Sequence, residues 1–318
     1  MQASRRSEGR AVKVAVVGLG HLGSVHARLW REIPGVHLAA LVDVDPDRAA
    51  ARGREFGVPA FTDWRALPPD VEAVSLAVPT PLHGPLGVGI LESGRDLLVE
   101  KPISATPEQA DAMIAAAGRR ARVLMVGHTE RFNPAFVAAR REVREPRFLE
   151  AQRMAPFVPR SLDVDVVLDL MIHDLDLALL LGGPEVEEVR AIGVNAFTDK
   201  IDIANARLRF ASGCVANLTA SRISRERVRK LRIFQPHRYL SVDLSARSLV
   251  ACWLDPPGED ALPAIREEAV EVPPGEPLRL QLQAFAEAVR RRESAGCTGQ
   301  EGRRALLLAH RILEEIAH

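Results

Sequence analysis

The stretch Val12-Lys-Val-Ala-Val-Val-Gly18-Leu-Gly20-His-Leu-Gly23 carries the pattern that decides the fold. The β-branched run Val12 to Val17 predicts a strand, and Ser24 to Arg31 predicts a helix after the glycine turn. A strand, a turn with three spaced glycines and a helix form the usual context of dinucleotide binding. Gly18 allows the tight turn, Gly20 lets the backbone approach a pyrophosphate, and Gly23 permits close packing of the helix on the strand.

An acidic residue follows at a suitable distance. The next predicted strand, Val36 to Val42, ends at Asp43, which lies 25 positions after Gly18. An acid at this offset holds the adenosine ribose hydroxyls and repels a 2′-phosphate. No basic residue follows before Arg48, so we expect NAD, with NADP disfavoured. The alternative for Asp43 is a helix N-cap or turn residue before Pro46.

Strand-like and helical runs continue to alternate after this point. Further strands are predicted at Val71 to Val78, Asp96 to Val99 and Arg122 to Val126. This alternation is typical of a doubly wound parallel sheet, the Rossmann arrangement, and it stops near residue 128. We therefore expect a flexible tail over residues 1–10, an NAD-binding Rossmann domain over 11–128 and a second α/β domain over 129–318. The last helix is a candidate for packing back on the first domain.

Two turns follow strands of this predicted sheet, at the edge where such sheets bind ligands. In Pro79-Thr80-Pro81-Leu-His83 we expect Pro79, Thr80 and Pro81 to lie against the cofactor, whereas His83 either joins them or caps the next helix. The second turn is Glu100-Lys101-Pro102.

Lys101 has unusual features for a lysine in this chain. It is one of four lysines among 42 basic residues, and the others are arginines. An ammonium group can be desolvated and tuned, whereas a guanidinium stays charged. Pro102 also restricts the backbone beside it. We predict that Lys101 is a catalytic cation facing the cofactor; the alternative is a lysine with its ammonium in water.

A third candidate group lies in the apolar run from Val164 to Leu181. Asp169 and His173 are four residues apart, so on a helix they share one face and the carboxylate can orient the imidazole. Asp165 and Asp176 extend this polar stripe, which is flanked by leucines. The spacing favours a carboxylate-supported general base, and the alternative is a histidine satisfied within the core.

Composition excludes several classes of protein. The 318 residues are 47% hydrophobic, and 42 basic residues balance 42 acidic ones, which argues against a dedicated nucleic-acid binder. Cys214, Cys252 and Cys297 have no metal-ligand or redox spacing, so we expect no metal and reduced thiols, as in a cytoplasm. We find no signal-peptide core and no run of membrane-spanning length.

The motifs above, together with Gly127-His128 and Asp169-x-x-x-His173-x-x-Asp176, resemble in order and spacing the glucose-fructose oxidoreductase, inositol dehydrogenase and MocA (Gfo/Idh/MocA) family. The resemblance implies a Rossmann domain, a C-terminal α/β domain with a largely antiparallel open sheet, and nicotinamide-dependent oxidation or reduction of sugars and polyols. It implies that Lys101, Asp169 and His173 are the catalytic residues. Met171 replaces a glycine common in the family, which leaves less room beside the substrate.

Within the family, Gly127-His-Thr-Glu-Arg131-Phe-Asn133-Pro most resembles the UDP-N-acetylglucosamine 3-dehydrogenases, which serve lipid A or surface polysaccharide synthesis. The diphosphate of such a substrate needs cations, for which we expect Arg131, Arg153 and Arg160; surface placement is the alternative for each. Other hypotheses are a dehydrogenase of a free polyol such as an inositol and a non-catalytic NAD-binding regulator of the same fold.

The predicted site divides into two sets. The cofactor residues are Gly18, Gly20, His21, Leu22, Gly23, Asp43, Pro79, Thr80, His83, Glu100, Lys101 and Pro102. The substrate residues are Lys101, Arg131, Asn133, Arg153, Arg160, Asp169 and His173.

The second half reads as a strand-rich sheet followed by helices. Strands are predicted at Val189 to Val194, Ala204 to Phe210, Val215 to Ser221 and Leu231 to Ile233. We expect this sheet to form a dimer or tetramer. The basic residues from Arg222 to Arg232 form a solvated face or bind a phosphate or a neighbouring subunit. Pro256 to Pro274 is predicted as a polar connection, and two amphipathic helices follow, marked by Leu282, Phe285 and Val289 and by Leu306, Ala309, Leu313 and Ile316.

Overall fold

A computed structural model describes residues 11–158, 164–255, 264–294 and 296–317. The strands are β1 (Val12–Val17), β2 (Val36–Val42), β3 (Ala60–Phe61), β4 (Ala73–Leu76), β5 (Asp96–Glu100), β6 (Leu124–Gly127), β7 (Phe148–Met154), β8 (Val186–Val194), β9 (Ile203–Phe210), β10 (Val215–Ser221), β11 (Val228–Gln235), β12 (Arg238–Asp243), β13 (Ser248–Leu254), β14 (Ile265–Val270) and β15 (Cys297–Thr298). The helices are α1 (His21–Glu32), α2 (Pro46–Phe56), α3 (His83–Glu92), α4 (Pro107–Arg120), α5 (Pro134–Glu142), α6 (Ile172–Gly182), α7 (Pro277–Arg291) and α8 (Gly299–Ala317).

The chain divides into two compact units. The first runs to His128 and includes Leu278–Arg303, so it contains nearly all of α7 and the first turn of α8. The second comprises Thr129–Pro277 and the chain from Arg304 onward.

The first unit is built on a parallel sheet. Among the described residues, seven strands pair in the order β15-β6-β5-β4-β1-β2-β3, and every pair is parallel except β15 with β6. All residues of β4 and β5 are buried, as expected for central strands covered by helices on both faces. The predicted Rossmann arrangement is confirmed, although β4 is shorter than the predicted strand from Val71 to Val78.

Helix starts in this unit follow ordinary capping chemistry. The Asp45 carboxylate accepts the N–H groups of Asp47 and Arg48 at the start of α2. Thr106 caps α4 through the N–H of Gln109, and Pro107 occupies the first helical position.

The second unit is built on a largely antiparallel sheet, as predicted. Among the described residues, eight strands pair in the order β14-β13-β12-β11-β7-β10-β9-β8, and β7 with β10 is the parallel pair. Alternate side chains of this sheet join residues of α5, α6 and α8 in one core, which includes Phe136, Leu177, Phe210 and Ile312. Side chains of the opposite face are more exposed, such as Arg207 on β9.

Two predictions for the second half need correction. β14 lies within the range predicted as a polar connection, where it pairs with β13; residues 256–263 of that range lie outside the described residues. Its sequence Ile-Arg-Glu-Glu-Ala-Val lacks apolar alternation because this edge strand is mostly exposed. The run predicted as one helix begins with a π-helical turn, Val167–Met171, before α6 starts.

Other features agree with expectation. The β9 and β10 strands form the predicted hairpin around Ala211 to Gly213. The three cysteines are free and buried, which agrees with the prediction of reduced thiols. No helix in the described part of the chain is long and apolar enough to cross a membrane.

Candidate functional site

The glycine loop of the first unit has the geometry that its sequence predicts. Gly18 has a positive φ of 88°, and a Cβ there would lie 2.5 Å from the carbonyl oxygen of Ala77. At Gly23 a Cβ would lie 1.8 Å from the carbonyl oxygen of Gly18. Neither position accepts a side chain without moving the loop. Gly20, which precedes α1, and His21 and Leu22, which start it, are exposed, so backbone N–H groups at this helix start are accessible to an anion.

Asp43 is fixed beside this loop. It is 5% exposed, and its carboxylate accepts the N–H of Leu19 at 2.7 Å and that of Asp45 at 3.0 Å. The same Arg48 nitrogen donates to both oxygens, at 3.0 and 3.2 Å. Burial acts to raise the pKa of Asp43, but these hydrogen bonds hold it below the ordinary value. The ionised carboxylate is thus held where an acid that binds ribose is expected, and Asp45, not Asp43, is the helix cap.

Arg48 contacts Asp43 directly, although it lies five positions further along the sequence. An arginine beside the ribose-binding position is also a means of accommodating a 2′-phosphate. The expected preference for NAD therefore depends on which effect is stronger at the ribose position: the repulsion of a 2′-phosphate by Asp43 or its attraction by Arg48.

His83 does not occupy either of its predicted roles. It is the first residue of α3 but makes no capping hydrogen bond, and it is 1% exposed. Its Nδ1 lies 2.7 Å from the carbonyl oxygen of Pro102, and its Nε2 lies 2.9 Å from that of Val78. Burial lowers the pKa of His83, which favours the neutral ring. Because both nitrogens face backbone carbonyls, the predicted cofactor contact of His83 needs correction.

The side chain of Glu100 also points into the protein interior. Its side chain is buried, with Oε1 lying 3.2 Å from Nε2 of His26. Burial acts to raise the pKa of Glu100, but His26, Lys101 and His83 together hold it below the ordinary value. A cofactor contact through this carboxylate is therefore not supported.

Lys101 itself is half-buried at the end of β5, and Pro79 and Thr80 lie at the neighbouring turn.

In the second unit, Asp169 and His173 lie at the junction of the π-helical turn and α6. Asp169 is within the turn, His173 is the second residue of α6, and both are half-buried. Single π-helical turns at helix junctions are frequent at functional sites. Asp165, which precedes them, is a structural residue whose Oδ1 accepts the N–H of Ile201 at 2.9 Å.

Arg153 forms ion pairs with two carboxylates of its own unit. It is 2% exposed, and it donates to both oxygens of Asp174 and to Oε1 of Glu130, each at 2.8 Å. Burial acts to lower the pKa of Arg153, but these two carboxylates raise it above the ordinary value. The prediction that Arg153 binds a substrate diphosphate needs correction, because its Nε, Nη1 and Nη2 all face protein oxygens.

The other predicted substrate residues also have partners in the second unit. Arg131 donates to both oxygens of Asp176, at 2.7 and 2.6 Å. Asn133 is 2% exposed and caps α5, and its amide donates to Glu130 and to the carbonyl oxygen of Leu244. Its role is therefore structural. Arg160 lies outside the described residues.

The basic segment from Arg222 to Arg232 is not one surface. Arg222 is buried, and it donates to Asp202 and to the carbonyl oxygens of Val164 and Ile201. By contrast, Arg225 and Arg227 are exposed.

Sequence reasoning missed several of these residues. His26, Ser75, Glu130 and Asp174 are buried polar residues whose partners are distant in the sequence. Asp174, directly after His173, is the one that carried a local signal, because an acid amid leucines needs a partner.

Comparison with known proteins identifies the family. A sequence model described as an oxidoreductase family with an NAD-binding Rossmann fold matches residues 12–128, and the GFO/IDH/MocA C-terminal domain matches residues 137–236. The UDP-N-acetylglucosamine 3-dehydrogenase of Acidithiobacillus ferrooxidans is 41% identical over 302 residues, which cover 95% of this chain and 96% of that protein. The chain belongs to the GFO/IDH/MocA oxidoreductase family. It is therefore an oxidoreductase with an NAD-binding domain, as its motifs predict.

Other known proteins resemble the chain in fold or in sequence. The crystal structure of the A. ferrooxidans UDP-N-acetylglucosamine 3-dehydrogenase GnnA matches with a TM-score of 0.89 and 40% identity. The match covers 96% of this chain and 98% of the GnnA chain. The myo-inositol 2-dehydrogenase of Thermotoga maritima is 28% identical, with 96% of this chain and 97% of that protein covered. Levoglucosan dehydrogenase in complex with NADH shares the fold, with a TM-score of 0.85 at 20% identity over 97% of both chains.

Proposed function

We propose that this oxidoreductase transfers a hydride between the carbon that bears the 3-hydroxyl of UDP-N-acetylglucosamine and NAD, as a step in amino-sugar synthesis for lipid A or surface polysaccharide. The observation that carries the proposal is the 41% identity, over 95% of the chain, to an enzyme named for that reaction. Lys101, Asp169 and His173 supply the side chains that proton transfer requires.

The cofactor site lies at the glycine loop of the first unit. Gly20 has space beside its Cα for a pyrophosphate, and Asp43 is held at the end of β2 to bind ribose hydroxyls. Pro79 and Thr80 line the neighbouring turn. When bound, NAD supplies the hydride acceptor of the reaction.

Proton transfer is assigned to three side chains. His173 takes the proton from the sugar hydroxyl, and Asp169 orients its imidazole. Lys101 donates a hydrogen bond to the reacting oxygen, which stabilises alkoxide character as the hydride leaves.

Variants of these residues test the assignment. In Lys101→Ala and His173→Ala we expect turnover to fall by about 100- to 10,000-fold while NADH binding, followed by fluorescence, is retained. The matched controls are Lys200→Ala and His237→Ala, which alter exposed residues of the same types. Full turnover in both site variants would disprove the roles of Lys101 and His173.

The substrate is tested by comparing sugars. Purified protein and NAD are mixed with UDP-N-acetylglucosamine, myo-inositol or glucose, and NADH absorbance is followed. We expect a rise with the nucleotide sugar alone. A rise with inositol and none with the nucleotide sugar would favour a polyol dehydrogenase, a reading that the Thermotoga relative supports.

We also propose that the enzyme self-associates through the face of the second unit's sheet that lies opposite its core. Phe148, Phe234 and Tyr239 form a row of contacting rings across that face, with Phe234 and Tyr239 stacked at 5.0 Å. Light scattering after size-exclusion chromatography should give a multiple of the chain mass. Phe234→Arg should lower that mass, and an unchanged mass would place the interface elsewhere.

A further inference from the structure

Buried polar contacts fix the backbone on both sides of Lys101. On the preceding side, Oε2 of Glu100 accepts the N–H of Lys101 at 3.3 Å, and its Oε1 lies 3.2 Å from Nε2 of His26. The other ring nitrogen of His26 lies 2.6 Å from Oγ of Ser75. His26 and Ser75 are 0% exposed. Glu100 thus lies at the end of a row of buried polar side chains that reaches the interior of the first unit.

On the following side, His83 provides the contact. Its Nδ1 faces the carbonyl oxygen of Pro102, and its Nε2 faces that of Val78. Val78 directly precedes the Pro79-Thr80-Pro81 turn, whereas Pro102 directly follows Lys101. A single imidazole therefore connects the turn after β4 with the turn after β5. A neutral ring donates to one of these carbonyls, and an imidazolium donates to both.

These contacts are costly to lose because they are buried. A buried backbone carbonyl that loses its donor pays the desolvation penalty of that group, so the N–H of the neutral ring holds the turn that it faces. The shorter contact, from Nδ1, is the one to the carbonyl oxygen of Pro102. The contacts end on backbone atoms beside Lys101 or on the side chain of Glu100. They therefore determine the direction in which the Lys101 side chain points from the edge of the sheet.

We propose that His83 is a positioning residue for Lys101, with His26 and Glu100 as its counterpart on the other side. His83 fixes the Pro102 carbonyl directly after the lysine, and Glu100 fixes the amide directly before it. The catalytic consequence rests on the proposed role of Lys101, but the positioning itself is measurable without turnover.

The scarcity of lysines makes this measurement direct. The protein has only Lys13, Lys101, Lys200 and Lys230, so trace acetylation with acetic anhydride, read by mass spectrometry, reports each amine separately. Lys13 is also half-buried and lies in the same unit, on β1, which makes it an internal reference. The measured quantity is the labelling rate of Lys101 divided by that of Lys13 in the folded protein.

Two substitutions of His83 separate its hydrogen bonds from its volume. His83→Phe keeps an aromatic ring and removes both nitrogens, whereas His83→Gln retains a nitrogen donor in its side-chain amide. In His83→Phe we expect the ratio to rise by about fivefold, because a hydrogen bond that contributes ~1 kcal/mol is lost. We expect His83→Gln to return it toward the wild-type value. His37→Gln, at an exposed histidine of β2, is the control and should leave the ratio unchanged.

Other outcomes would overturn the proposal. An unchanged ratio in His83→Phe would show that His83 does not position Lys101. Equal acceleration of Lys13 and Lys101 would show general loosening of the unit, which is a merely structural role.

Turnover then separates this inference from the proposed function. If both hold, His83→Phe lowers kcat while KM for NAD stays near the wild-type value, and His83→Gln recovers part of kcat. A wild-type protein without turnover would contradict the proposed function and leave the labelling ratio readable. Normal turnover with an unchanged ratio in His83→Phe would contradict the positioning role alone.

Discussion

The guanidinium of Arg153 binds both carboxylate oxygens of Asp174, at 2.8 Å each, directly beside His173. Arg131 binds both oxygens of Asp176 in the same way. Residues two apart on an α-helix point about 200° apart, so the two arginines hold α6 from different sides. This arrangement restrains rotation of α6 and therefore the direction of His173.

Replacing Arg153 should strongly destabilise the second unit. Arg153→Met removes the partner of two buried carboxylates, Asp174 and Glu130, and we expect a loss of about 3–5 kcal/mol in the free energy of unfolding. Urea unfolding followed by far-UV circular dichroism measures it. Arg227→Met, at an exposed arginine, is the control and should change stability by no more than about 0.5 kcal/mol. Equal midpoints for the two variants would mean that the buried ion pairs contribute little.

A second buried carboxylate, Asp202, makes stability depend on pH. It is 0% exposed and accepts hydrogen bonds from the N–H groups of Ala196, Phe197 and Thr198 and from Nε of Arg222. Burial acts to raise the pKa of Asp202, but the N–H groups of Phe197, Thr198 and Ala196 and the hydroxyl of Thr198 hold it well below the ordinary value. A lowered folded-state pKa stabilises the fold above the unfolded value of about 3.9, and this contribution is lost as pH falls below it.

Asp202→Asn should therefore be most costly near neutral pH. We expect a loss of about 3–5 kcal/mol there, because Arg222 is left buried without its carboxylate. The difference from wild type should shrink as pH falls below about 4. Asp199→Asn, in the same loop but exposed, should show little effect at either pH. A difference that is constant from pH 7 to pH 3 would contradict the assigned role of Asp202.

The fold was readable from sequence because its signals are local. The glycine loop, Asp43 and the alternation of strands and helices specify the parallel sheet within short windows. The β14 strand escaped prediction because Arg266, Glu267 and Glu268 give it no apolar period. An edge strand derives its stability from pairing with β13, which a local pattern does not record.

The site was only partly readable for a related reason. Scarcity and spacing make Lys101 and His173 candidates whose roles stay predictions, but the role of an arginine depends on which carboxylates lie near it. Arg153 pairs with acids more than twenty positions away, so it looked like a substrate residue. His83 likewise meets carbonyls that only the folded turns bring together.

Cofactor preference should depend on the balance between Asp43 and Arg48. Asp43→Ser removes the charge that repels a 2′-phosphate and leaves the Arg48 guanidinium unpaired with this acid. Hydrogen bonds to charged groups contribute about 1.5–3 kcal/mol, or roughly 10- to 100-fold in affinity. We expect the ratio of kcat/KM for NAD over NADP to fall by such a factor. Asp47→Ser, at an exposed neighbour, is the control, and an unchanged ratio in Asp43→Ser would remove Asp43 from cofactor recognition.

Gly20 tests whether the open space beside the loop belongs to the cofactor. It has an ordinary φ of −64°, and a Cβ built on it meets no protein atom within 4 Å. Gly20→Ala should therefore fold with wild-type stability, yet its methyl group would occupy the space through which a pyrophosphate approaches the backbone. We expect NADH affinity, measured by fluorescence titration, to fall by about tenfold or more. Gly118→Ala, in α4 and equally open, should leave affinity unchanged. Wild-type NADH affinity in Gly20→Ala would mean that the cofactor does not pass close to this glycine.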